Sequence, residues 1–94
     1  MVDKNVTRDV IVVNPQGIHL RPADLITKTA NRFSAEIYII KGGDQFDAKS
    51  VLSLLTLAAV QGTQLRLQAD GADAEDAINA LAELVEQGFG EMNV

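Results

Sequence analysis

The sequence predicts an α+β fold with a four-stranded antiparallel sheet, in the order β-α-β-β-α-β-α, with three helices on one face. Two observations predict it. Segments that alternate or are rich in β-branched residues are separated by segments whose apolar residues recur every three or four positions. Breaks that contain glycine or proline fall between them. Because no repeat or linker interrupts the pattern, we expect residues 1–94 to form one domain.

Four segments are predicted as strands. Residues 6–13 are rich in β-branched side chains. Residues 35–41 and 45–48 flank a Gly-Gly-Asp turn that is typical of a tight hairpin. Residues 63–69 alternate strictly between apolar and polar. The side chains that we expect to be buried in these strands are Val10, Val12, Ile37, Ile39, Leu65, Leu67 and Ala69.

Three segments are predicted as helices, each with a residue suited to its first turn. Pro22 opens the first, where a missing N–H leaves no hydrogen bond unmade. Ser50 and Asp73 are the expected N-caps of the second and third helices. In the second helix, which we expect to end at Gln61-Gly62, the residues predicted to face the core are Leu54, Leu57 and Val60, and those predicted to be exposed are Leu52 and Leu55.

The composition excludes several classes of function. The chain has 8 basic and 13 acidic residues, a net charge of −5, and no cysteine. An acidic domain is poorly suited to bind nucleic acid directly, because phosphate contacts supply most of that affinity. A single histidine without cysteine gives too few ligands for a metal site, and we expect no cofactor. Without a signal peptide or a long apolar run, we expect a cytoplasmic protein that is not membrane-embedded.

The candidate chemistry lies between the first strand and the first helix, at the only histidine, His19. An unperturbed imidazole has a pKa of about 6.5, so a good share of it is neutral and nucleophilic at pH 7. Gly17 permits a sharp turn, and the N–H groups of Leu20 and Arg21, together with the Arg21 guanidinium, can bind phosphate oxygens. A histidine with no role beyond a surface turn has the same spacing, so the residues alone leave both interpretations open.

Residues 17–23 have the sequence GIHLRPA, which resembles the active-site signature of HPr, the histidine-containing phosphocarrier family of the phosphoenolpyruvate-dependent sugar phosphotransferase system. The resemblance implies an HPr-like open-faced β-sandwich and a monomeric carrier rather than an enzyme. It implies that Enzyme I phosphorylates His19 on Nδ1 and that Enzyme II A components receive the group. The roles it implies for the surrounding residues are the turn for Gly17, backbone N–H donors for Leu20 and Arg21, phosphate stabilisation for Arg21, and the helix start for Pro22.

Three positions depart from residues that are common in that family. Gln16 stands where Asn or Ser is common, Leu20 where Ala or Thr is frequent, and Ala58 where Gly is frequent. The larger apolar side chain of Leu20, next to the histidine, is expected to affect the choice of partner rather than the chemistry.

Lys49-Ser50, followed by an apolar helix, resembles the regulatory serine segment of the same family. The resemblance implies phosphorylation of Ser50 by an HPr kinase/phosphorylase, although an N-cap serine needs no further role. Leu20, Leu52 and Leu55 are the residues that we expect to dock partner proteins.

Two other functions remain open at this point. The first is a nitrogen-related or purely regulatory HPr paralogue that uses the same histidine for signalling. The second is a non-catalytic, small-ligand-binding split βαβ module, which would leave the His-x-Arg-Pro signature unexplained. RNA-binding modules of this kind stack bases on strand aromatics, and the predicted strands contain only Tyr38 and Phe46.

Overall fold

A computed structural model describes residues 4–92 and has the predicted order of elements. The fold is α+β, with a four-stranded antiparallel sheet and three α-helices, and a short 3₁₀ turn follows the last helix. The elements are β1 (Lys4–Ile11), α1 (Leu20–Ala30), β2 (Glu36–Lys41), β3 (Asp44–Asp47), α2 (Val51–Thr56), β4 (Gln64–Gly71), α3 (Ala74–Glu86) and the 3₁₀ turn (Gly88–Gly90).

The strands lie in the order β1-β4-β2-β3, and every neighbouring pair is antiparallel. The alternating strand β4 is therefore central, with β1 and β2 on either side. Its inward residues meet inward residues of both neighbours, as in the pairs of Leu65 with Val10 and Leu67 with Ile39. A side-chain period of two makes this register bury one face of the sheet only.

The helices cover the buried face of the sheet, and α3 contacts β1 and β4 while α1 packs against α2 and α3. The opposite face carries polar side chains, including the exposed Thr7, Asp9 and Arg66. All the strand residues predicted to be buried are confirmed, and the largest fully buried side chains of the core are Ile26, Ile37, Ile39, Leu54, Leu57, Leu65, Leu67, Ile78 and Leu81.

The prediction that Val60 faces the core is wrong, because its side chain is 66% exposed. Helix α2 ends at Thr56 rather than near Gln61, and Ala58 has a left-handed backbone with φ of 53°. The chain thus leaves the helix before it reaches Val60. Leu54 and Leu57, which precede this turn, are buried as predicted.

Asp73 lies at the N-cap position of α3, but the prediction that its side chain caps this helix is wrong. Its carboxylate instead accepts hydrogen bonds of 2.8 Å from the backbone N–H groups of Ser34 and Ala35, just before β2. The Ser34 bond is the main cause that places the pKa of Asp73 below its ordinary value. The carboxylate therefore joins the entrance of β2 to the start of α3.

Candidate functional site

Helix α1 begins at Leu20, with His19 as its N-cap residue. The carbonyl of His19 accepts the N–H of Ala23 at 3.0 Å, so the first helical bond is formed. Within residues 4–92, no side chain caps this helix, and neither Leu20 nor Arg21 donates its backbone N–H. Pro22, in the same turn, has no N–H to donate. The positive end of α1 therefore presents unused donors next to the imidazole.

Gly17 provides the turn that brings His19 to the helix start. Its φ is 68°, and its N–H bonds to the carbonyl of Asn14 at 3.1 Å. A Cβ at this position would lie 2.4 Å from the Ala59 carbonyl oxygen and 2.9 Å from the Val60 Cα. The next N–H, that of Ile18, bonds to the same carbonyl at 2.9 Å. Only glycine fits this turn, which presses on the segment after α2.

A carboxylate that the sequence prediction missed occupies the centre of the site. Nε2 of His19 lies 3.0 Å from each carboxylate oxygen of Glu91. Nη1 of Arg21 donates to the same carboxylate at 2.9 Å and to the carbonyl of Phe89 at 2.8 Å. The Glu91 side chain is only 10% exposed, whereas that of Arg21 is 55% exposed. The histidine and the arginine are thus brought together by a carboxylate that directly follows the 3₁₀ turn.

Asn14 is a second site residue that the sequence prediction missed. Its buried amide nitrogen donates to the Gly17 carbonyl at 2.8 Å and to Oε1 of Glu91 at 3.1 Å. Asn14 therefore ties the loop that carries His19 to the carboxylate that contacts it. In the sequence, Asn-Pro indicates only a break between two elements, and no site role is predicted for Glu91.

Glu91 is held in its ionised form. Burial by itself would raise its pKa, but hydrogen bonds from His19, Arg21 and Asn14 outweigh burial and place the pKa below the ordinary value. At neutral pH the carboxylate and the Arg21 guanidinium form an oppositely charged pair. The charge of Glu91 therefore offsets the charge of Arg21.

The surface around His19 is shallow and open. A depression of about 500 Å³ is lined by His19, Leu20, Arg21 and Asp24. A neighbouring depression of about 320 Å³ is lined by Gln16, Arg21, Gly90 and Glu91. Gln16, which differs from the residues common in the family at this position, therefore lies beside the arginine.

The open face of the sheet carries a comparable depression of about 440 Å³. The charged groups in it, Asp9 and Arg66, already pair with each other at 2.8 Å. Among the residues that line this depression no charge is left unpaired to bind a phosphate group, and we place the candidate site at the start of α1.

The second predicted site, Ser50, lies at the start of a different helix. Its hydroxyl oxygen accepts the N–H of Ser53 at 3.2 Å, which confirms the predicted N-cap of α2. The Lys49 ammonium is engaged elsewhere, at 2.8 Å from the Phe33 carbonyl. The Asp47 carboxylate accepts the N–H of Lys49 at 2.9 Å, and the Asp47 backbone carbonyl accepts the N–H of Ser50 at 3.2 Å.

The three leucines assigned to docking are all exposed: Leu20 by 62%, Leu52 by 79% and Leu55 by 40%. Across residues 4–92 no group of three or more His, Cys, Asp and Glu side chains is arranged to hold a metal ion. None of the helices in that range is long and apolar enough to cross a membrane.

Comparisons with known proteins define the class. The family model described as "PTS HPr component phosphorylation site" matches residues 6–87. Phosphocarrier protein HPr of Neisseria meningitidis serogroup A is 36% identical over 84 residues, which cover 89% of this chain and 94% of that protein. HPr of Haemophilus influenzae is 42% identical over 79 residues, which cover 84% and 93% of the two chains.

The crystal structure of HPr-C-His from Thermoanaerobacter tengcongensis is similar in fold, with a TM-score of 0.85 and 41% identity, and the match covers 94% of this chain and 97% of that one. The fold and the matched segment are thus those of a phosphocarrier rather than a catalytic enzyme. The chain belongs to the HPr family of the phosphotransferase system.

Proposed function

We propose that the chain accepts a phosphoryl group from Enzyme I on Nδ1 of His19 and passes it to Enzyme II A components of the sugar phosphotransferase system. The observation that carries this proposal is the position of His19, at the uncapped start of α1 and two residues before Arg21. A neutral imidazole there is next to unused N–H donors and a guanidinium, which together suit three phosphoryl oxygens.

In the proposed transfer, the lone pair of Nδ1 forms a bond to phosphorus while the bond from phosphorus to the donor atom breaks and leaves its electron pair on the donor. The backbone N–H groups of Leu20 and Arg21 and the Arg21 side chain then bind the phosphoryl oxygens. Phosphoryl transfer depends mainly on positioning and on electrostatic stabilisation, so a carrier needs little more than this. Transfer to the Enzyme II A component is the same exchange in reverse.

Leu20, Leu52 and Leu55 are the proposed contact surface for these partners. All three side chains are exposed. Leu20 lies on α1 next to His19, Leu52 and Leu55 lie on α2, and the two helices pack against each other. Apolar residues exposed around an active loop favour transient association with another protein. We also propose that residues 1–94 act as one monomeric domain in the cytoplasm.

Phosphorylation of Ser50 by an HPr kinase/phosphorylase is the proposed regulation. A phosphate at the start of α2 would add about −1.5 to −2 charges next to the exposed Leu52. The Lys49 ammonium is bound to the Phe33 carbonyl and Asp47 is acidic, so these two neighbouring side chains offer the phosphate little compensation. The added charge would therefore act on docking partners rather than on the fold.

The test is incubation with labelled phosphoenolpyruvate and Enzyme I, followed by assay of acid-labile phosphate. Wild type and the control Ser50→Ala should take up label and transfer it to an Enzyme II A component, and His19→Ala should take up none. Label on His19→Ala, or none on wild type, would refute the proposed carrier. Uptake without transfer to any Enzyme II A component would instead indicate the purely regulatory paralogue.

The regulatory site is tested separately, with ATP and HPr kinase. The kinase should label wild type and His19→Ala but not Ser50→Ala. If wild type takes no label, or Ser50→Ala still does, regulation at this serine is ruled out while the carrier function stands.

A further inference from the structure

Glu91 reaches the site through a backbone turn of unusual conformation. Gly88, Phe89 and Gly90 have φ values of 63°, 55° and 74°, so three consecutive residues are left-handed. For phenylalanine this conformation costs about 1–2 kcal/mol. The Phe89 side chain is buried in the core, and its carbonyl accepts from Arg21, so packing holds the turn in place. The result is that a carboxylate sits directly against the imidazole.

That contact determines which ring nitrogen carries the proton. An ionised carboxylate only accepts hydrogen bonds, and both oxygens of Glu91 lie 3.0 Å from Nε2 of His19. Nε2 must therefore be the N–H donor. In a neutral ring the lone pair then lies on Nδ1, the nitrogen on the other side of the ring from Glu91. Carboxylates that accept from one nitrogen of a histidine fix its tautomer and orientation in other kinds of site.

The Glu91 carboxylate also binds the Arg21 guanidinium, which a phosphoryl group would need. Nη1 of Arg21 is bound to Glu91 and to the Phe89 carbonyl, but a guanidinium has five N–H donors and the side chain is largely exposed. An arriving phosphoryl group, with more charge than a carboxylate, can compete for Arg21 while Nε2–H stays on Glu91. No proton has to move during the transfer.

We propose, on the basis of the carrier function above, that Glu91 is a positioning residue for His19. The Glu91 carboxylate keeps the proton on Nε2, so that Nδ1 accepts the phosphoryl group. It also binds Arg21 until the phosphoryl oxygens take the place of the carboxylate. The residue lies outside the GIHLRPA segment and acts through His19, without contact to the reacting nitrogen.

The test is the ¹⁵N spectrum of the imidazole in the unphosphorylated protein, at a pH where the ring is neutral. Wild type and the control Glu86→Gln, which loses a surface carboxylate paired with Arg8, should show the Nε2–H tautomer only. Glu91→Gln and Glu91→Ala should show both tautomers in exchange. An Nδ1–H signal in wild type, or the wild-type pattern in both Glu91 variants, would overturn the proposal.

A second measurement separates positioning from folding. Both Glu91 variants should keep the circular-dichroism spectrum of the folded protein and accept phosphate from Enzyme I roughly tenfold more slowly. If Glu91→Ala does not fold, Glu91→Gln, which keeps the side-chain volume, supplies the result. An unchanged rate in the folded variant counts against the proposal. Since the tautomer is measured without a phosphoryl donor, failure of His19 to accept phosphate would refute the carrier function and leave the tautomer result unaffected.

Discussion

Helices α1 and α2 both begin at a residue proposed to be phosphorylated, but their first turns are built in opposite ways. The Ser50 side chain accepts from the N–H of Ser53 and so caps α2. The His19 side chain points to Glu91 instead, and the first N–H groups of α1 have no partner within residues 4–92. A capped turn stabilises the resting fold, whereas an uncapped turn keeps its donors for a ligand.

The charged side chains near the first turns of α1 and α2 also differ. Beside α1, Arg21 is paired with an internal carboxylate that a stronger anion can replace. Just before α2, the Asp47 carboxylate accepts the N–H of Lys49, and the Lys49 ammonium is bound to the Phe33 carbonyl. A phosphoryl group on His19 would therefore be stabilised by the Arg21 side chain, whereas one on Ser50 would gain little from Asp47 and Lys49. Under the proposed function, the first turn would suit transient storage of a phosphoryl group, and the second would suit a signal that partners read.

The largest effect is expected at Gly17, where the loop before α1 contacts the segment after α2. Gly17→Ala would place a Cβ 2.4 Å from the Ala59 oxygen, in a left-handed backbone, and should reduce the free energy of unfolding by about 2–5 kcal/mol. Gly42→Ala is the control, because its φ is 62° but nothing lies within 4 Å of its Cβ position, and it should cost about 1–2 kcal/mol. Urea unfolding measures both values, and equal costs would contradict the close packing of the two segments.

The next effect tests the charge around α1. Arg21→Ala should slow phosphoryl uptake from Enzyme I by at least about tenfold, because it removes a charged donor to the phosphoryl oxygens. The fold should be retained, since this side chain lies largely at the surface. Arg66→Ala, which breaks an exposed pair with Asp9 on the open face, should leave the rate unchanged. A lost circular-dichroism signal in Arg21→Ala, or equal rates in both variants, would contradict this role.

A smaller effect tests the cap of α2. Ser50→Ala should lower the free energy of unfolding by about 1 kcal/mol, because the N–H of Ser53 loses its acceptor. Ser50→Asp keeps an acceptor at this position and should restore most of that stability. Chemical denaturation of the three proteins gives the comparison. An alanine variant as stable as wild type would show that the cap contributes nothing measurable.

The smallest effect is expected where α2 ends. Ala58 has a φ of 53°, which is strained for alanine and ordinary for glycine. Ala58→Gly should gain about 1–2 kcal/mol from relief of strain and lose about half of that to the greater freedom of the unfolded chain, a net gain of about 0.5 kcal/mol. A shift of the urea midpoint to lower concentration would contradict this account of the turn.

The features that the sequence predicted correctly are those set by local patterns. Alternation in β4, the glycine pair before β3 and the N-cap at Ser50 each act over a few residues. Gly17, His19 and Arg21 are close in sequence, so their grouping could also be predicted. The start of the first helix directly after His19 is also predicted from the sequence, and the structure confirms it.

The features that it missed depend on contacts between distant residues. His19 and Glu91 are 72 positions apart, and a strained turn brings them together. Asp73 accepts from amides 38 and 39 positions earlier in the chain rather than from its own helix. Val60 is exposed because α2 ends early at a left-handed alanine, a conformation that helix propensity does not predict.

The most direct test of the central claim is ³¹P and ¹⁵N NMR of the protein after phosphorylation by phosphoenolpyruvate and Enzyme I. Within residues 4–92, both carboxylate oxygens of Glu91 contact Nε2 of His19, and Nδ1 makes no hydrogen bond. We therefore expect one phosphorus signal, coupled to Nδ1, with the proton still on Nε2. Phosphorus bound to Nε2, or to any residue other than His19, would contradict the account.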